Sequence, residues 1–549
     1  PHIIALTEPL WINQETAIDA RTQPGYTDEP LIWIDVNGQD SAFICLEGEG
    51  TTLAGFRIYN FRWNAVATQP GANKTKIVDN SIGFYWDEQK GQWWRNFEAN
   101  LNSGELYGPY VQAVGVGIQS SYNLVENNVI SGVHNGVSIG YDPSQEWGPA
   151  CNGNEIRGNL IGTTPDGQSI LTNTPGALDY RPETNTDGYG WPDIWAYFGN
   201  NSDGIYLSAL AVETLIEDNV CSGNFSVGIE LLHDTVKHTE IYGNNCGVSI
   251  SGNKALPNGE LGIILSNGAH DNIVGRREHP NVFTANHYAG VQLGGEGSFH
   301  SAKYNVIQGN IIGYNPKTRK LIGSQDVGIN LGTEHTFGNH IQDNVIGGNK
   351  WGIYLEDTKQ NIVVNNFIGT DSKGSRVGNR YEGIVVDASS RNIVLNNVIK
   401  NNGFETDHSH WGKGIWEINE SSENVYAGNI VQDNRNDPNV LDMDVPGGVY
   451  IDRLGGLTFT SAQYAGMSLC LRLEPSFKSG YQDTLTWKLN SSSLRVCGGE
   501  SSRKAHISDD LEISVRDTDF MDNIVSFNLE YIHLPDASEG LYWILDEQS

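Results

Sequence analysis

One short phrase, written again and again between Asn305 and Lys400, constrains the fold more than any other feature of the chain. It reads Asn310-Ile-Ile-Gly with Gly328-Ile-Asn-Leu-Gly, then Asn344-Val-Ile-Gly with Gly352-Ile-Tyr-Leu-Glu, then Asn366-Phe-Ile-Gly with Gly383-Ile-Val-Val-Asp. A further copy follows in Asn397-Val-Ile and Gly414-Ile-Trp-Glu-Ile. The glycines of the Gly-Ile phrase stand 24, 31 and 31 residues apart. Self-similarity at that spacing means a repeat architecture, in which each unit buries its apolar face only by stacking on the next.

Each phrase is a burst of alternating β-branched residues bounded by Asn, Gly, Asp and Ser, which is strand chemistry with turn punctuation. No segment of helical period intervenes, which excludes a leucine-rich horseshoe, and a propeller would need four strands per ~40 residues. Two or three short strands per coil predict a single-stranded parallel β-helix, an all-β solenoid whose rungs stack about 4.8 Å apart. Ile329, Leu331, Ile353, Leu355, Ile384 and Val386 then form inward aliphatic ladders. Asn310, Asn344, Asn366 and Asn397 sit at one corner, where an amide bonds to its neighbours above and below and tolerates left-handed turns.

At 549 residues the chain reads as one large solenoid with accessories, long enough to bury a continuous core. The balance of 34 basic against 66 acidic residues, a net charge of −32, argues against nucleic acid as a partner, because phosphate contacts need a basic stripe. No run of 18 apolar residues occurs, so no transmembrane segment is predicted. The six cysteines have no metal-ligand spacing. Cys470 and Cys497 share a C-terminal segment and could pair. Cys221 and Cys246 lie about one rung apart, either as a disulfide or as stacked core thiols. Pro1 is not a native start, so a processed chain is expected.

Ile18-Asp19-Ala20-Arg21-Thr22-Gln23-Pro24-Gly25-Tyr26 resembles the opening phrase of bacterial secreted and surface proteins with right-handed parallel β-helix repeats. Asn159-Leu160-Ile161-Gly162-Thr163-Thr164-Pro165-Asp166-Gly167 and Asn366-Phe367-Ile368-Gly369-Thr370-Asp371-Ser372-Lys373-Gly374 are similar to their repeating phrase. The resemblance covers roughly residues 1–455 and departs at Ala20-Arg21, where Gly-Thr is usual. It implies a right-handed β-helix and a secreted or cell-surface location, and it names no reaction. The likeness to polysaccharide-active β-helix proteins is one of architecture only. Asn185-Thr186-Asp187-Gly188 matches a polygalacturonase phrase, but the companion Gly-His-Gly and Arg-Ile-Lys phrases are missing from the sequence, so that activity is not carried over.

Two stretches break the rhythm. Residues 79–110 carry Tyr85, Trp86, Trp93, Trp94, Tyr107 and Tyr110, and residues 163–202 carry Tyr180, Tyr189, Trp191, Trp195, Tyr197 and Phe198. Insertions of this kind form walls or lids, or plug the flank of the solenoid. The rungs are expected to run to residue 454. Residues 455–549 lose the Asn corners and alternate between turn signals, which predicts a C-terminal antiparallel β-sandwich that caps the solenoid or binds carbohydrate.

If the Ile of each Gly-Ile points inward, the residue two after the glycine points out. That column reads Gln119, Ser138, Tyr206, Glu230, Ile264, Gln292, Asn330, Tyr354, Val385, Trp416 and Tyr450. Aromatic rings stack on sugar rings while amides and carboxylates bond to hydroxyls. Tyr206, Gln292, Asn330, Tyr354 and Trp416, with Trp191 and Trp195, are therefore candidate substrate-binding residues for a polysaccharide. The same pattern also suits a solvated sheet. Glu356 and Asp387 occupy equivalent places on successive rungs, with Glu382 just before the second strand. Rungs this close bring two carboxyls within the range used by glycosidases, pushing one pKa up. The cluster could equally hold Ca²⁺, although no cofactor is required, or do nothing. Glu230, His233 and Asp234 form a second candidate catalytic group, with Lys237, for proton abstraction beside a uronate carboxylate. Asp407, His408 and His410 form a weaker cluster.

The sequence thus favours a secreted carbohydrate-active β-helix, a lyase or glycoside hydrolase, over its rival, a non-catalytic surface, adhesive or appendage protein. Oligomers through the solenoid flanks fit either reading.

Overall fold

The computed structural model describes residues 1–27, 29–96, 112–141, 148–171, 199–295, 301–318, 321–323, 325–404, 412–434 and 445 in full, and the remaining strands by their backbone. The chain divides into two compact units, residues 1–294 with 309–329, and residues 295–308 with 330–549. Each is built mainly from parallel strands, and the described residues contain no α-helix, only a single 3-10 turn at Ala20–Thr22.

In the first unit each coil lays down three strands. The first sheet runs from His2–Ala5 through Phe56–Tyr59 and Leu160–Ile161 to Ile311–Ile312. The second runs from Leu10–Ile12 through Val137–Ile139, Ile205–Leu207 and Val227–Leu232 to Ala289–Leu293. The third holds Ala17–Asp19, Glu155–Arg157, Leu215–Glu217 and Glu240–Tyr242. The second unit repeats this plan, with Phe367–Ile368 in the first sheet, Trp351–Glu356, Ile384–Asp387 and Ile415–Ile418 in the second, and Ile362–Val364 in the third.

The core follows the pattern that the sequence dictates. In the first unit Ile205, Ile229, Ile263 and Val291 stack in register and are fully buried. In the second, Ile353, Ile384 and Ile415 do the same. The corner asparagines are buried as well. Asn219 takes its place between Asn159 and Asn244: its Oδ1 accepts from the backbone N–H and side-chain amide of Asn159, both at 2.9 Å. Its own backbone N–H donates to Asn244 Oδ1 at 2.9 Å, and its side-chain amide reaches the Ile156 carbonyl at 2.8 Å. Asn344, Asn366 and Asn397 form the same ladder in the second unit. Each buried amide thus satisfies turn groups that no strand reaches. Cys221 and Cys246 are free, buried thiols stacked on neighbouring rungs and in contact with each other, so the disulfide alternative does not hold for them.

Within the insertion at 79–110, Phe84–Asp87 and Gln92–Arg95 pair as an antiparallel hairpin. Its rings pack on the first sheet: Tyr85 stacks on Trp94 at 5.3 Å and meets Tyr59 at 4.8 Å and Trp33 at 5.7 Å. Most of the 163–202 insertion, including Trp191, Trp195 and the Asn185–Gly188 phrase, lies outside the described residues, as do Asp407, His408 and His410.

Parallel pairing ends at Val449–Ile451, and Gly456–Phe459 joins that strand antiparallel. Further on, Leu473–Ser476, Thr484–Leu489 and Leu511–Arg516 form an antiparallel sheet, and Ser526–His533 pairs with Leu541–Gln548. The packing of these sheets on one another, and the Cys470 and Cys497 side chains, lie outside the described residues.

Candidate functional site

The outward column of the second sheet differs from the sequence expectation at two places. In the first unit the register runs Trp11, Ile44, Ala67, Gly117, Ser138, Tyr206, Glu230, Ile264, Gln292. Gly117 therefore takes the place expected for Gln119, because the phrase aligned with the other rungs is Gly115-Val116 and not Gly117-Ile118. In the second unit the column runs Tyr354, Val385, Trp416, Asp444, and Tyr450 instead pairs with Tyr426 in the third sheet.

Glu230 stands half-buried on this face, between Tyr206 on one rung and Ile264 on the next. At the edge of the same sheet, just before Gly204, is a carboxyl that the sequence reading missed. Asp203 is 4% exposed, and its backbone N–H is held by Asn135 Oδ1 at 3.1 Å. One carboxylate oxygen accepts from the Val227 N–H at 3.1 Å and the other from the Ser202 hydroxyl at 3.2 Å. Asp203 and Glu230 also lie within hydrogen-bonding reach of each other. Two carboxyls share a hydrogen bond only if one of them carries a proton.

The surroundings decide which one. Burial pushes Glu230 well above the usual carboxylate range, and the Asp203 charge, the bond to Asp203 and the charge of Glu260 push it further. Burial raises Asp203 too, but the Val227 N–H, the Glu230 hydroxyl, the Ser202 hydroxyl and the nearby His134 all oppose the rise. Glu230, with fewer donors around it, is the carboxyl pushed up further. Glu260, half-buried on the next rung, is raised first by burial and then by Asp203, against a hydrogen bond from Ser226. His134 Nδ1 lies 2.7 Å from Asn201 Oδ1, which directs its other ring nitrogen away from that amide. Asp203, Glu260 and His134 form, with Glu230, a group that the sequence could have signalled in one way: Asp203 puts a carboxylate where neighbouring rungs carry Asn135 and Val227.

His233 and Asp234 sit elsewhere. Three residues of extended strand put His233 about 10 Å past Glu230, at the far edge of the sheet. Its Nδ1 is engaged locally by Thr235 Oγ1 at 2.9 Å and Asp234 Oδ1 at 3.0 Å, and its φ of 135° marks a tight turn. Gln292 is buried, with its amide on the Gly294 carbonyl at 3.2 Å. Asn330 is 3% exposed and offers little surface to a ligand.

In the second unit Glu356 and Asp387 are in register on adjacent rungs, Glu356 exposed and Asp387 half-buried. Asp387 is already committed: one oxygen accepts from the Tyr354 hydroxyl at 2.8 Å and the other from the Asn419 amide at 2.7 Å. Glu382 is fully buried, off the exposed face, and accepts from Trp351 Nε1 at 3.1 Å and from the Gly412 N–H at 3.0 Å.

Among the described residues, Glu217, Asp218 and His279 in the first unit are close enough together to hold a metal ion. The imidazole, however, offers Nε2 to Asp218 at 2.6 Å and Nδ1 to Glu217 at 3.8 Å, while Arg157 sits 3.5 Å from Glu217.

Residues 239–431 match the family model described as right handed beta helix region. Within each unit the matched residues form parallel strands stacked rung on rung. No curated protein matches the chain. Among solved structures, it is similar to the periplasmic alginate epimerase AlgG, at 14% identity over 75% of this chain and 84% of that one, with a TM-score of 0.35. An alginate lyase from Paenibacillus sp. str. FPU-7 shares 14% identity over 61% of this chain and 92% of its own, with a TM-score of 0.34. The Azotobacter vinelandii mannuronan C-5 epimerase AlgE4 A-module shares 11% identity over 80% and 89%, with a TM-score of 0.35. Likeness at this level names neither residues nor a reaction for the chain. No helix among the described residues is long and apolar enough to cross a membrane.

Proposed function

We propose that the protein is a secreted glycoside hydrolase acting on an extended polysaccharide, with its reaction centre at Glu230. The observation that carries this reading is the close Asp203–Glu230 pair on the second sheet, with the half-buried Glu260 beside it. Glu230 supplies its proton to the glycosidic oxygen as the bond breaks, and Glu260, more accessible than Asp203, assists the incoming water as base or attacks the sugar carbon itself. Asp203 holds the proton on Glu230 before transfer. Calcium has no assigned part in these steps.

Two features support a long substrate. From Trp11 to Glu230 the outward column crosses six strand steps, about 29 Å, on one face of the first unit. Trp11 is 55% exposed at one end, Tyr206 stands beside Glu230 at the other, and Ala67, Gly117 and Ser138 leave a low floor between them. A centre built from Asp203, Glu230 and Glu260 favours a neutral glycan over a uronate, whose carboxylate would add to the negative charge already pushing Glu230 and Glu260 up. That favours hydrolysis over the lyase reaction, which needs a cation to neutralise the uronate.

The test is a panel of neutral and uronic polysaccharides, read for new reducing ends and for absorbance of unsaturated uronate, with and without chelator. The expected result is reducing ends without unsaturated product, unchanged by chelator and lost in Glu230→Gln. Unsaturated product would move the reading to a lyase. No turnover of any glycan would favour the non-catalytic surface protein.

A further inference from the structure

The second unit carries a face whose chemistry differs from that of the Glu230 site. Trp351, Tyr354 and Trp416 are half-buried aromatic residues of the second sheet there, and Tyr381 packs behind them. Trp351 meets Tyr354 edge-on at 6.0 Å and Tyr381 at 5.4 Å. Tyr354 and Trp416 lie in one column, two rungs apart, with Val385 between them only 1% exposed.

Each ring is fixed by a polar partner. Glu382 accepts from the Trp351 indole N–H, Asp387 accepts from the Tyr354 hydroxyl, and the Lys413 ammonium stands 5.1 Å from the centre of the Trp416 ring. Asn419, held on the other oxygen of Asp387, adds an amide at the rim, and Glu356 adds an exposed carboxylate. Rings held in this way lose little conformational freedom when a ligand arrives, so more of the contact energy appears as affinity.

We infer that this face is a glycan-binding platform, distinct from the reaction centre, for a neutral polysaccharide chain. A pyranose has an apolar face for the rings and a girdle of hydroxyls for Asp387, Asn419 and Glu356. Two rungs separate Tyr354 from Trp416 by about 10 Å, which spans roughly two sugar rings. A protein partner would meet carboxylates, an amide and an ammonium interrupting the apolar surface. A uronate chain would meet the exposed Glu356. The inference shares a ligand class with the hydrolase reading but does not rest on catalysis at Glu230.

The test is retardation of the full chain in native gels containing xyloglucan, mixed-linkage β-glucan, galactomannan or dextran, with alginate and polygalacturonate as anionic probes. At least one neutral glycan should retard the wild type and the Glu230→Gln variant equally, and the anionic probes should retard neither. Trp416→Ala and Tyr354→Ala should each weaken that binding roughly tenfold or more. Tyr354→Phe, which keeps the ring and releases Asp387, should weaken it less. Unaltered thermal unfolding confirms the folding of all three variants. Equal retardation of wild type and both alanine variants would overturn the platform, as would retardation by no neutral glycan. A self-association that Trp416→Ala abolishes would overturn it too, by assigning the face to a second copy of the chain. Loss of turnover in Glu230→Gln with retardation retained separates the two sites, and retardation in a chain that turns over no glycan would leave the platform standing without the hydrolase.

Discussion

Asp203 in the first unit and Glu382 in the second stand at the same place in the repeat, directly before the glycine of a Gly-Ile strand, and both are buried. Their neighbours on the adjoining rungs differ. Glu382 meets donors, the Trp351 indole N–H and the Gly412 backbone N–H, so its carboxylate is a fastening point. Asp203 meets donors too, but it also meets Glu230, and that meeting pushes the Glu230 carboxyl up. A repeat position therefore sets where a side chain lies, and the adjoining rung sets what it can do. Catalytic potential in such a solenoid arises where two rungs bring like charges together with too few donors to satisfy both.

The largest test of this contrast is turnover. Glu230→Gln should lower kcat by about 10²–10⁴-fold, the share that general acid catalysis contributes, whereas Glu382→Gln should leave kcat on a short substrate within about threefold. Equal losses would erase the distinction between the two positions. Stability should reverse the order. Glu382→Ala removes the acceptor of the buried Gly412 N–H and of the half-buried Trp351 indole and should cost about 2–4 kcal/mol in denaturant unfolding, while Glu230→Gln should change stability at acidic pH by less than about 1 kcal/mol. The ladders should behave alike in both units: Asn219→Ala and Asn366→Ala each strip a buried amide of its partners, and each should cost about 2–4 kcal/mol. A large loss in one unit only would mean that the corners are not equivalent supports.

The smallest expected effect is on pH dependence. Because folding raises the Glu230 pKa, the folded state holds a proton that the unfolded chain has released once pH exceeds the ordinary glutamate value. The stabilisation is complete below that value and is lost as pH rises through the folded pKa. Between mildly acidic and mildly alkaline pH, the Tm of the wild type should therefore fall more than that of Glu230→Gln. Parallel curves would remove the raised pKa from the account.

Much of this architecture was legible in the residues. The Gly-Ile spacing predicts the rungs, and the inward Ile and Leu positions and the Asn corners follow from the two-residue period and the turn chemistry. The outward column was less secure, for a physical reason. A slip of two residues preserves which side chains face in and which face out, so Gln119 and Gly117 look alike to a pattern. Gly448-Val449-Tyr450 likewise imitates the phrase, although its strand belongs to the third sheet. The adjacency of Glu356 and Asp387 could be anticipated, because both follow one phrase by the same number of residues. The capture of Asp387 by Tyr354 and Asn419 could not, since Asn419 lies in the turn after the next strand. The Asp203–Glu230 pair escaped notice because its members occupy different places in their repeats and meet only when rungs stack.

The central claim is that Glu230 keeps its proton above the ordinary glutamate range, and infrared difference spectroscopy reads it directly. The spectrum of wild type minus Glu230→Gln at neutral pH should contain the C=O stretch of a protonated carboxylic acid, shifted on exchange into D₂O and fading as pH is raised. A difference spectrum that holds only ionised carboxylate bands would contradict the account.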